Sequence, residues 1–137
     1  MYLKPVSSLI LPIIFMLTSS TSFADENKTY VVSGIDDVTE IVVDEFGVPH
    51  IYAENHYDVF FAQGFNAARD RLWQIDLWKR RGLGQLSEIL GEQYLEQDRA
   101  ARMFVYRGDM YAEWLAYGND AKLISKSFTA GINAFVE

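Results

Sequence analysis

Several residue types that carry catalysis or covalent structure are scarce in this sequence. It contains no cysteine, two histidines and three prolines among 137 residues. The chain therefore forms no disulfide and offers no thiolate to a metal or a substrate. Its serines have no neighbouring histidine, and G-x-S-x-G, Walker and G-x-G-x-x-G motifs are absent. The residues alone show no catalytic constellation.

Positive charge is also scarce. Twelve Lys and Arg residues against 19 Asp and Glu give a net charge of −7. An acidic chain is a poor generic partner for nucleic acid, whose phosphates attract cations. Five of the cations nevertheless cluster in residues 69–81, beside two of the three tryptophans. The cluster raises the question of a basic docking patch.

Helical geometry argues against such a patch. At about 100° per residue, Arg69 and Arg80 lie close together, beside Asp76. Arg71 and Arg81 point elsewhere, and the two tryptophans point to different sides. A membrane-surface helix needs one apolar and one basic face, which this segment lacks. The pattern predicts a buried helix that packs on several sides and carries an Asp76–Arg80 ion pair.

The N-terminus predicts a secretory signal peptide over residues 1–24. Lys4 supplies the positive charge, residues 9–17 are apolar except for one proline, and small residues precede a cleavage site before Asp25. The apolar run is short for a bilayer span. We therefore expect a periplasmic or secreted protein with no stable membrane anchor. Residues 25–137 carry a net charge of −8.

The histidines and paired acids are weak candidates for a metal site. His50 and His56 stand six residues apart across a strand–helix junction, which matches no established ligand spacing. The adjacent acids at 36–37 and 44–45 lie in predicted turns. We expect a local hydrogen bond at the histidines and solvated carboxylates in the turns, and no metal ligand among them.

Residues 29–53 predict strands. Residues 29–32, 40–44 and 49–53 are rich in β-branched and aromatic side chains. Between the last two runs, Asp44 and Gly47 occupy the first and fourth positions of a type I turn with a left-handed glycine. Proline at the start of the third run places it at a strand beginning or at a sheet edge.

From Asn55 onward the pattern is helical. Asn55 is a candidate N-cap with Asp58 in the first turn, and the segment ends at residues 82–84, which contain two glycines. Gly64 inside the helix indicates close approach of another element. The predicted apolar stripe comprises Tyr57, Phe61, Phe65, Ala68, Leu72 and Ile75.

Shorter helical segments follow. We expect a helical turn at 85–90 that ends at Gly91, a helix over about 93–106, and a helical or irregular segment at 110–117. Asn119 is a candidate cap for a last helix, which is still amphipathic at residue 137. The predicted stripe of that helix comprises Ala121, Ile124, Phe128, Ile132 and Phe135.

Four stretches together resemble one known family. "DEFGVPHIYAEN", "DVFFAQGFNAARDRLWQIDLWKRRGLGQLSEILG", "LEQDRAARMF" and "FTAGINAFV" are similar, in order and spacing, to the opening of the penicillin acylase (penicillin amidase) family of N-terminal nucleophile hydrolases. The resemblance covers residues 38–137. It implies an α+β fold: short N-terminal strands in a hairpin and then mostly helices, as the N-terminal part of an αββα sandwich.

The resemblance also implies an activity for the full-length enzyme. Family members are secreted zymogens that self-cleave into α and β chains, and the new N-terminal serine attacks the amide bond of an N-acyl compound such as a penicillin or an acyl-homoserine lactone. The implied partners of this chain are the remainder of the α chain and the β chain, and the implied substrate is a small N-acyl molecule, with a role in antibiotic metabolism. Many members bind one structural calcium ion.

The match stops inside the α-chain region, so the catalytic serine, oxyanion donors and calcium ligands cannot be assigned to positions here. We expect an inactive N-terminal fragment (residues 25–137) without catalytic, cofactor or metal residues. A stand-alone secreted helical binding module of the same ancestry is the alternative. The motif positions, interpreted as structural, are Asp44, Gly47, Pro49, His50, Arg69, Asp70, Arg71, Trp73, Gln74, Asp76, Arg80 and Arg81.

Overall fold

A β-hairpin followed by five α-helices makes up the fold. The computed structural model describes residues 28–137, so the predicted signal peptide lies outside the described residues. Residues 28–32 have no regular structure, and the strand predicted at 29–32 is therefore wrong, since β-propensity alone forms no strand without a pairing partner. The elements are β1 (Glu40–Val43), β2 (Pro49–Tyr52), α1 (His56–Leu83), α2 (Ser87–Leu90), α3 (Leu95–Phe104), α4 (Met110–Ala116) and α5 (Asn119–Val136).

The hairpin forms as predicted. β1 and β2 pair antiparallel, with Ile41 opposite Ile51. The Gly47 N–H donates to the Asp44 carbonyl at 3.0 Å, and Gly47 has the left-handed φ of +79° that favours glycine. Pro49 is the first residue of β2, where its missing N–H costs no ladder hydrogen bond.

Helix α1 begins and ends where the sequence indicates, but it is interrupted. The Asn55 side chain caps its N-terminus by accepting from the Asp58 N–H, and Gly84 closes its C-terminus at a left-handed φ of +65°. Arg71 has non-helical dihedrals, φ −144° and ψ 27°, and nothing in the structure explains this kink, since neither proline nor glycine stands there. The kink changes the direction of every later side chain.

The apolar stripe of α1 therefore holds only up to the kink. Phe61, Phe65 and Ala68 are buried, whereas Leu72 is exposed, and Trp73 and Trp78 are both 61% exposed. The prediction that residues 69–81 form a helix buried on several sides is wrong as to burial, because none of these residues is buried. The physical reason is that a wheel of 100° per residue assumes an unbroken helix.

Helix α5 packs against the N-terminal half of α1 at very short range. A Cβ added at Gly64 would overlap the Phe128 carbonyl, and one added at Gly131 would overlap the Phe61 carbonyl. The close approach predicted at Gly64 is thus confirmed. The rings of Phe65 and Phe135 meet edge to face at 5.4 Å. This helix pair forms the core of residues 32–137, which are one compact unit.

Helix α5 differs from its prediction in two details. Gly118 precedes the helix in an extended conformation, and Asn119 is its first residue and makes no capping hydrogen bond, so the predicted cap is wrong by one position. Its fully buried residues are Ser127 and Gly131, whereas Ile124 is 38% exposed. The contact is too close for large side chains at its centre, so small residues occupy it.

The middle of the chain is a series of short helical pieces. Gly91 follows α2 with a φ of +93°, as predicted for its C-terminus. A 3-10 helix at Glu92–Tyr94 leads into α3, which is shorter at both ends than the predicted 93–106. Asp109 caps α4 by accepting from the Tyr111 and Ala112 N–H groups. No helix among residues 28–137 combines the length and apolarity needed to cross a membrane.

Candidate functional site

Asp44 organises the hairpin turn. Its Oδ1 accepts hydrogen bonds from the Phe46 N–H at 2.9 Å and the Val48 N–H at 2.8 Å, and its Oδ2 lies 3.1 Å from Nε2 of His50. The Val48 N–H and the His50 side chain hold the pKa of Asp44 below its usual value. The local hydrogen bond predicted for His50 is confirmed, and Asp44 is a bonded turn residue instead of a freely solvated acid.

Asp58 is a fully buried carboxylate at the start of α1. It accepts from the Asp36 N–H at 3.0 Å, the Asp37 N–H at 2.9 Å and Nδ2 of Asn55 at 2.7 Å. Burial by itself raises the pKa of Asp58, but these three donors outweigh it and lower the pKa below its ordinary value. The residue fastens the segment before the hairpin to the N-terminus of α1.

Asp98 on α3 plays the same part around α2. It is 3% exposed and accepts from the Leu86 N–H at 2.9 Å and from the N–H and Oγ of Ser87 at 2.8 and 2.6 Å. Burial by itself raises the pKa of Asp98. The hydrogen bonds from Ser87 and Leu86 and the charge of Arg102 outweigh burial and hold the pKa below its ordinary value. Arg102 also donates to the Gly84 carbonyl at 2.8 Å. Asp98 thereby joins α3 to the N-terminal end of α2.

A cluster of three polar side chains, Asn66, Arg69 and Asp70, lies just before the kink of α1. Nε of Arg69 is 2.9 Å from one oxygen of Asp70, and Nδ2 of Asn66 is 3.1 Å from the other. Oδ1 of Asn66 is buried and has no partner among the described residues. Asp70 is therefore held in one rotamer by its neighbours on the same helix.

The C-terminal half of α1 carries the predicted ion pair. Nε of Arg80 is 2.7 Å from Oδ2 of Asp76, and its Nη1 is 3.1 Å from Glu88 of α2. Lys79 lies 4.0 Å from the same aspartate. The hydrogen bond that Arg80 donates to Asp76 raises the pKa of Arg80 above its ordinary value.

The remaining motif residues of α1 face an open surface. Nη1 of Arg71 is 3.4 Å from Oε1 of Gln74. The guanidinium of Arg81 lies over the Trp78 ring at 5.3 Å, within cation–π range. Trp73 and Trp78 are largely exposed.

The structure does not bring the motif residues into one pocket. Asp44, Gly47, Pro49 and His50 lie in the hairpin, and the others are spread along α1 on both sides of its kink. Among residues 28–137 no group of three or more His, Asp or Glu side chains could hold a metal ion. The described residues form a scaffold in which carboxylates bind backbone N–H groups.

Two of these carboxylates make hydrogen bonds to distant parts of the chain that the sequence does not indicate. Asp58 is identifiable only as an acid in the first turn of α1, and Asp98 gives no local signal. Their main partners lie 21 or 22 residues away for Asp58 and 11 or 12 residues away for Asp98. Such contacts follow from the path of the chain and leave no periodic pattern.

Comparison with known proteins shows which family has this scaffold. The family model described as penicillin amidase matches residues 38–137. Penicillin acylase 2 proenzyme from Pseudomonas sp. (strain SE83) is 33% identical over 105 residues, which cover 77% of this chain and 14% of the relative. The acyl-homoserine lactone acylase QuiP from Pseudomonas syringae pv. tomato is 25% identical over 108 residues, covering 79% of this chain and 13% of the relative.

A solved structure agrees with the sequence relatives. The thermostable penicillin G acylase from Alcaligenes faecalis superposes with a TM-score of 0.65 and 28% identity, over 72% of this chain and 53% of that chain. The expected α+β arrangement, a short hairpin and then helices in the manner of an N-terminal nucleophile hydrolase, is thereby confirmed. The chain spans about one seventh of the length of the curated relatives that it matches. This chain belongs to the penicillin amidase family.

Proposed function

We propose that this chain is the N-terminal part of a secreted amidohydrolase that cleaves the linear amide bond of N-acyl compounds. The observation that carries the proposal is the family match over residues 38–137, together with coverage of only 14% of the penicillin acylase proenzyme. The described residues supply scaffold and no reacting group. We place the chemistry in the remainder of the α chain and in the β chain.

In the proposed enzyme an N-terminal serine outside this chain is the nucleophile. Its hydroxyl attacks the amide carbonyl and its own α-amino group accepts the proton. A free α-amine suits this role because its ordinary pKa of about 8 lies near working pH. Positioned N–H donors would stabilise the oxyanion that forms on the carbonyl. The contribution of this chain is to hold strands and helices in the relative positions that such a site requires.

The twelve motif residues have a structural role in this proposal. Asp44 orders the turn, the Arg69–Asp70 pair lies next to the kink of α1, and the Asp76–Arg80 pair fixes α1 against α2 through Glu88. These turn and ion-pair residues make their contacts inside the scaffold. The substitution of any one of them is expected to change stability or maturation before it changes substrate preference.

The substrate class is an N-acyl amide. The two relatives are named as a penicillin acylase and an acyl-homoserine lactone acylase, and an acyl group on a nitrogen is common to both kinds of substrate. We propose a substrate of this class and a link to antibiotic metabolism. We propose a structural calcium ion, which the family resemblance implies, for the full-length enzyme, and we assign none of its ligands to a residue of this chain.

Hydrolysis assays test whether the catalytic groups lie outside this chain. We expect the purified 137-residue chain to release no carboxylic acid from a phenylacetyl amide, a penicillin or a long-chain acyl-homoserine lactone. A complete penicillin acylase serves as the positive control, and circular dichroism establishes that the chain is helical in the same buffer. Turnover by the chain alone would contradict the proposal, because it would require a nucleophile and a base within these residues.

Fractionation tests the proposed export. In a bacterial host with a general secretory pathway, we expect residues 25–137 in the periplasmic fraction, with an N-terminus at Asp25. Replacement of Lys4 by glutamate together with a charged residue in the apolar run at 9–17 should keep the chain in the cytoplasm. An uncleaved periplasmic chain, or export of the altered leader, would contradict the signal-peptide assignment.

A further inference from the structure

An apolar groove runs along the C-terminal half of α1. Two open cavities of about 370 and 350 Å³ share Trp78 as a wall. The first extends to Phe104 of α3, and the second to Phe128 of α5. We use the name Trp78 groove for these two adjoining cavities.

Each cavity of the Trp78 groove contains one arginine. Arg81 lines the first and Arg71 lines the second. These are the two arginines of α1 that have no carboxylate partner among the described residues, since Arg69 pairs with Asp70, and Arg80 with Asp76 and Glu88. The chain has 19 acidic and 12 basic residues. A shortage of carboxylates therefore does not explain why these two arginines have no carboxylate partner among the described residues.

Arg81 is also held in place. Its guanidinium lies 5.3 Å from the centre of the exposed Trp78 ring, which orients the group without neutralising it. Arg71 makes only the long 3.4 Å contact to Gln74. The groove therefore presents apolar walls and two positive charges about ten residues apart on α1, or roughly 15 Å at 1.5 Å per residue.

We propose that the Trp78 groove binds an acidic, apolar segment of polypeptide, whose carboxylates pair with Arg71 and Arg81 and whose apolar side chains fill the cavities on either side of Trp78. The proposal rests on the proposed function, and the segment belongs to the longer polypeptide of which this chain is a part. Charge complementarity indicates the partner: bidentate pairing of guanidinium with carboxylate is geometrically specific, and the exposed guanidinium groups of Arg71 and Arg81 are available to donate to carboxylates.

The shape of the groove favours a polypeptide over a small molecule. Small-molecule sites enclose most of their ligand, whereas both cavities here are open to solvent. The two cations are too far apart for one small carboxylate to reach both. A helix or an extended segment reaches both with two acidic side chains and keeps its apolar side chains on Trp78 and Phe104.

Fluorescence anisotropy with the full 137-residue chain tests the proposal. The probe is a fluorescein-labelled peptide of about 12 residues, long enough for the 15 Å span, in which glutamates alternate with pairs of leucine and phenylalanine. Its twin carries glutamine in place of every glutamate. We expect the acidic peptide to bind at least about tenfold more tightly than the neutral twin, because two charge-assisted contacts are lost.

Variants of the chain locate the binding site. Arg71→Glu and Arg81→Glu should each weaken binding of the acidic peptide about tenfold, and Arg71→Gln and Arg81→Gln by less. The matched control is Arg99→Glu, which changes charge equally at an exposed position on α3, where Arg99 pairs with Glu96. Circular dichroism of every variant excludes unfolding as the cause, and the Gln variants keep the test valid if a Glu variant unfolds.

Four outcomes would overturn the proposal. They are equal binding of the two peptides, equal weakening by Arg99→Glu, displacement of the peptide by phenylacetate alone, and a concentration-dependent dimer that is lost in Arg71→Glu and Arg81→Glu, which would make a second copy the occupant. The two failures are distinguishable: failure to bind leaves the proposed amidase function standing, whereas turnover by the chain alone overturns the proposed function and with it this choice of occupant.

Discussion

At the residue scale, the structure depends on carboxylates that accept hydrogen bonds from the backbone. Asp44, Asp58 and Asp98 each bind two backbone N–H groups of other residues in a loop or at a helix end. A charged acceptor strengthens such bonds, and the N–H groups at helix N-termini have no other partner within the helix. Asp58 and Asp98 thereby connect separate segments of a chain that has no cysteine and so forms no disulfide.

Substitution of Asp98 tests this role. Asp98→Asn keeps the size of the side chain but points an amide NH₂ group at donors of Leu86 and Ser87, so at least one buried N–H loses its partner. We expect the melting temperature to fall by about 10 °C, measured by circular dichroism. Glu96→Gln, at an exposed position of the same helix, should change it by less than about 2 °C. Equal effects would contradict a special role of Asp98.

Acid should destabilise the chain through the same groups. Asp58 and Asp98 have folded-state pKa values below their ordinary value of 3.8. Their stabilisation is complete above that value and is lost as the pH falls through the lower, folded-state pKa, because the unfolded chain binds protons first. We expect the melting temperature to drop between about pH 5 and pH 2, and to drop less in Asp58→Asn. An equally steep loss in that variant would exclude Asp58 as a contributor.

At the element scale, two features of α1 decide the packing. Its N-terminal half contacts α5 through Gly64 and Gly131, where backbone meets backbone. Arg71 then interrupts the helix with non-helical dihedrals, and Trp73 and Trp78 beyond it are largely exposed. The two parts of the kinked helix thus differ in burial, and the Trp78 groove lies along the second, more exposed part.

Glycine substitutions separate close packing from helix propensity. Gly64→Ala places a methyl group on the Phe128 carbonyl and should reduce the free energy of unfolding by about 1–3 kcal/mol. Gly82→Ala, in the same helix with nothing within 4 Å of its Cβ position, should increase it by about 0.5–1 kcal/mol. Urea denaturation measures both. An increase in the free energy of unfolding for both substitutions would mean that helix propensity dominates and that α5 shifts easily to accommodate the methyl group.

At the scale of the whole molecule, burial is uneven. The buried apolar residues are concentrated on the N-terminal half of α1, with Leu86 next to α2. Helix α4 has no buried residue, and Trp73, Trp78 and Phe104 are exposed. This distribution agrees with a family in which the chain covers a small share of its relatives' length.

Hydrogen exchange should reproduce this unevenness. We expect amides in the N-terminal half of α1 and the middle of α5 to be protected at least about tenfold more strongly than those of α4, because local opening costs least where few apolar contacts are lost. Exchange of the 137-residue chain followed by mass spectrometry measures the difference. Uniform protection across α1, α4 and α5 would contradict it.

Local patterns in the sequence determined the hairpin, the start and end of α1, the Asp76–Arg80 pair and the membership of the family. Turn chemistry, caps and i, i+4 spacing involve residues that are close along the chain, and the family motifs are linear.

The tertiary structure alone decided which residues are buried and which carboxylates organise the chain. The kink at Arg71 has no sequence signal, and Trp73 and Trp78, which follow it, are exposed. Ser127 and Gly131 are buried at the centre of α5 because α1 approaches too closely for larger side chains. Asp58 and Asp98 find their donors across 11 to 22 residues. Such contacts depend on how the whole chain folds back on itself, which no local period encodes.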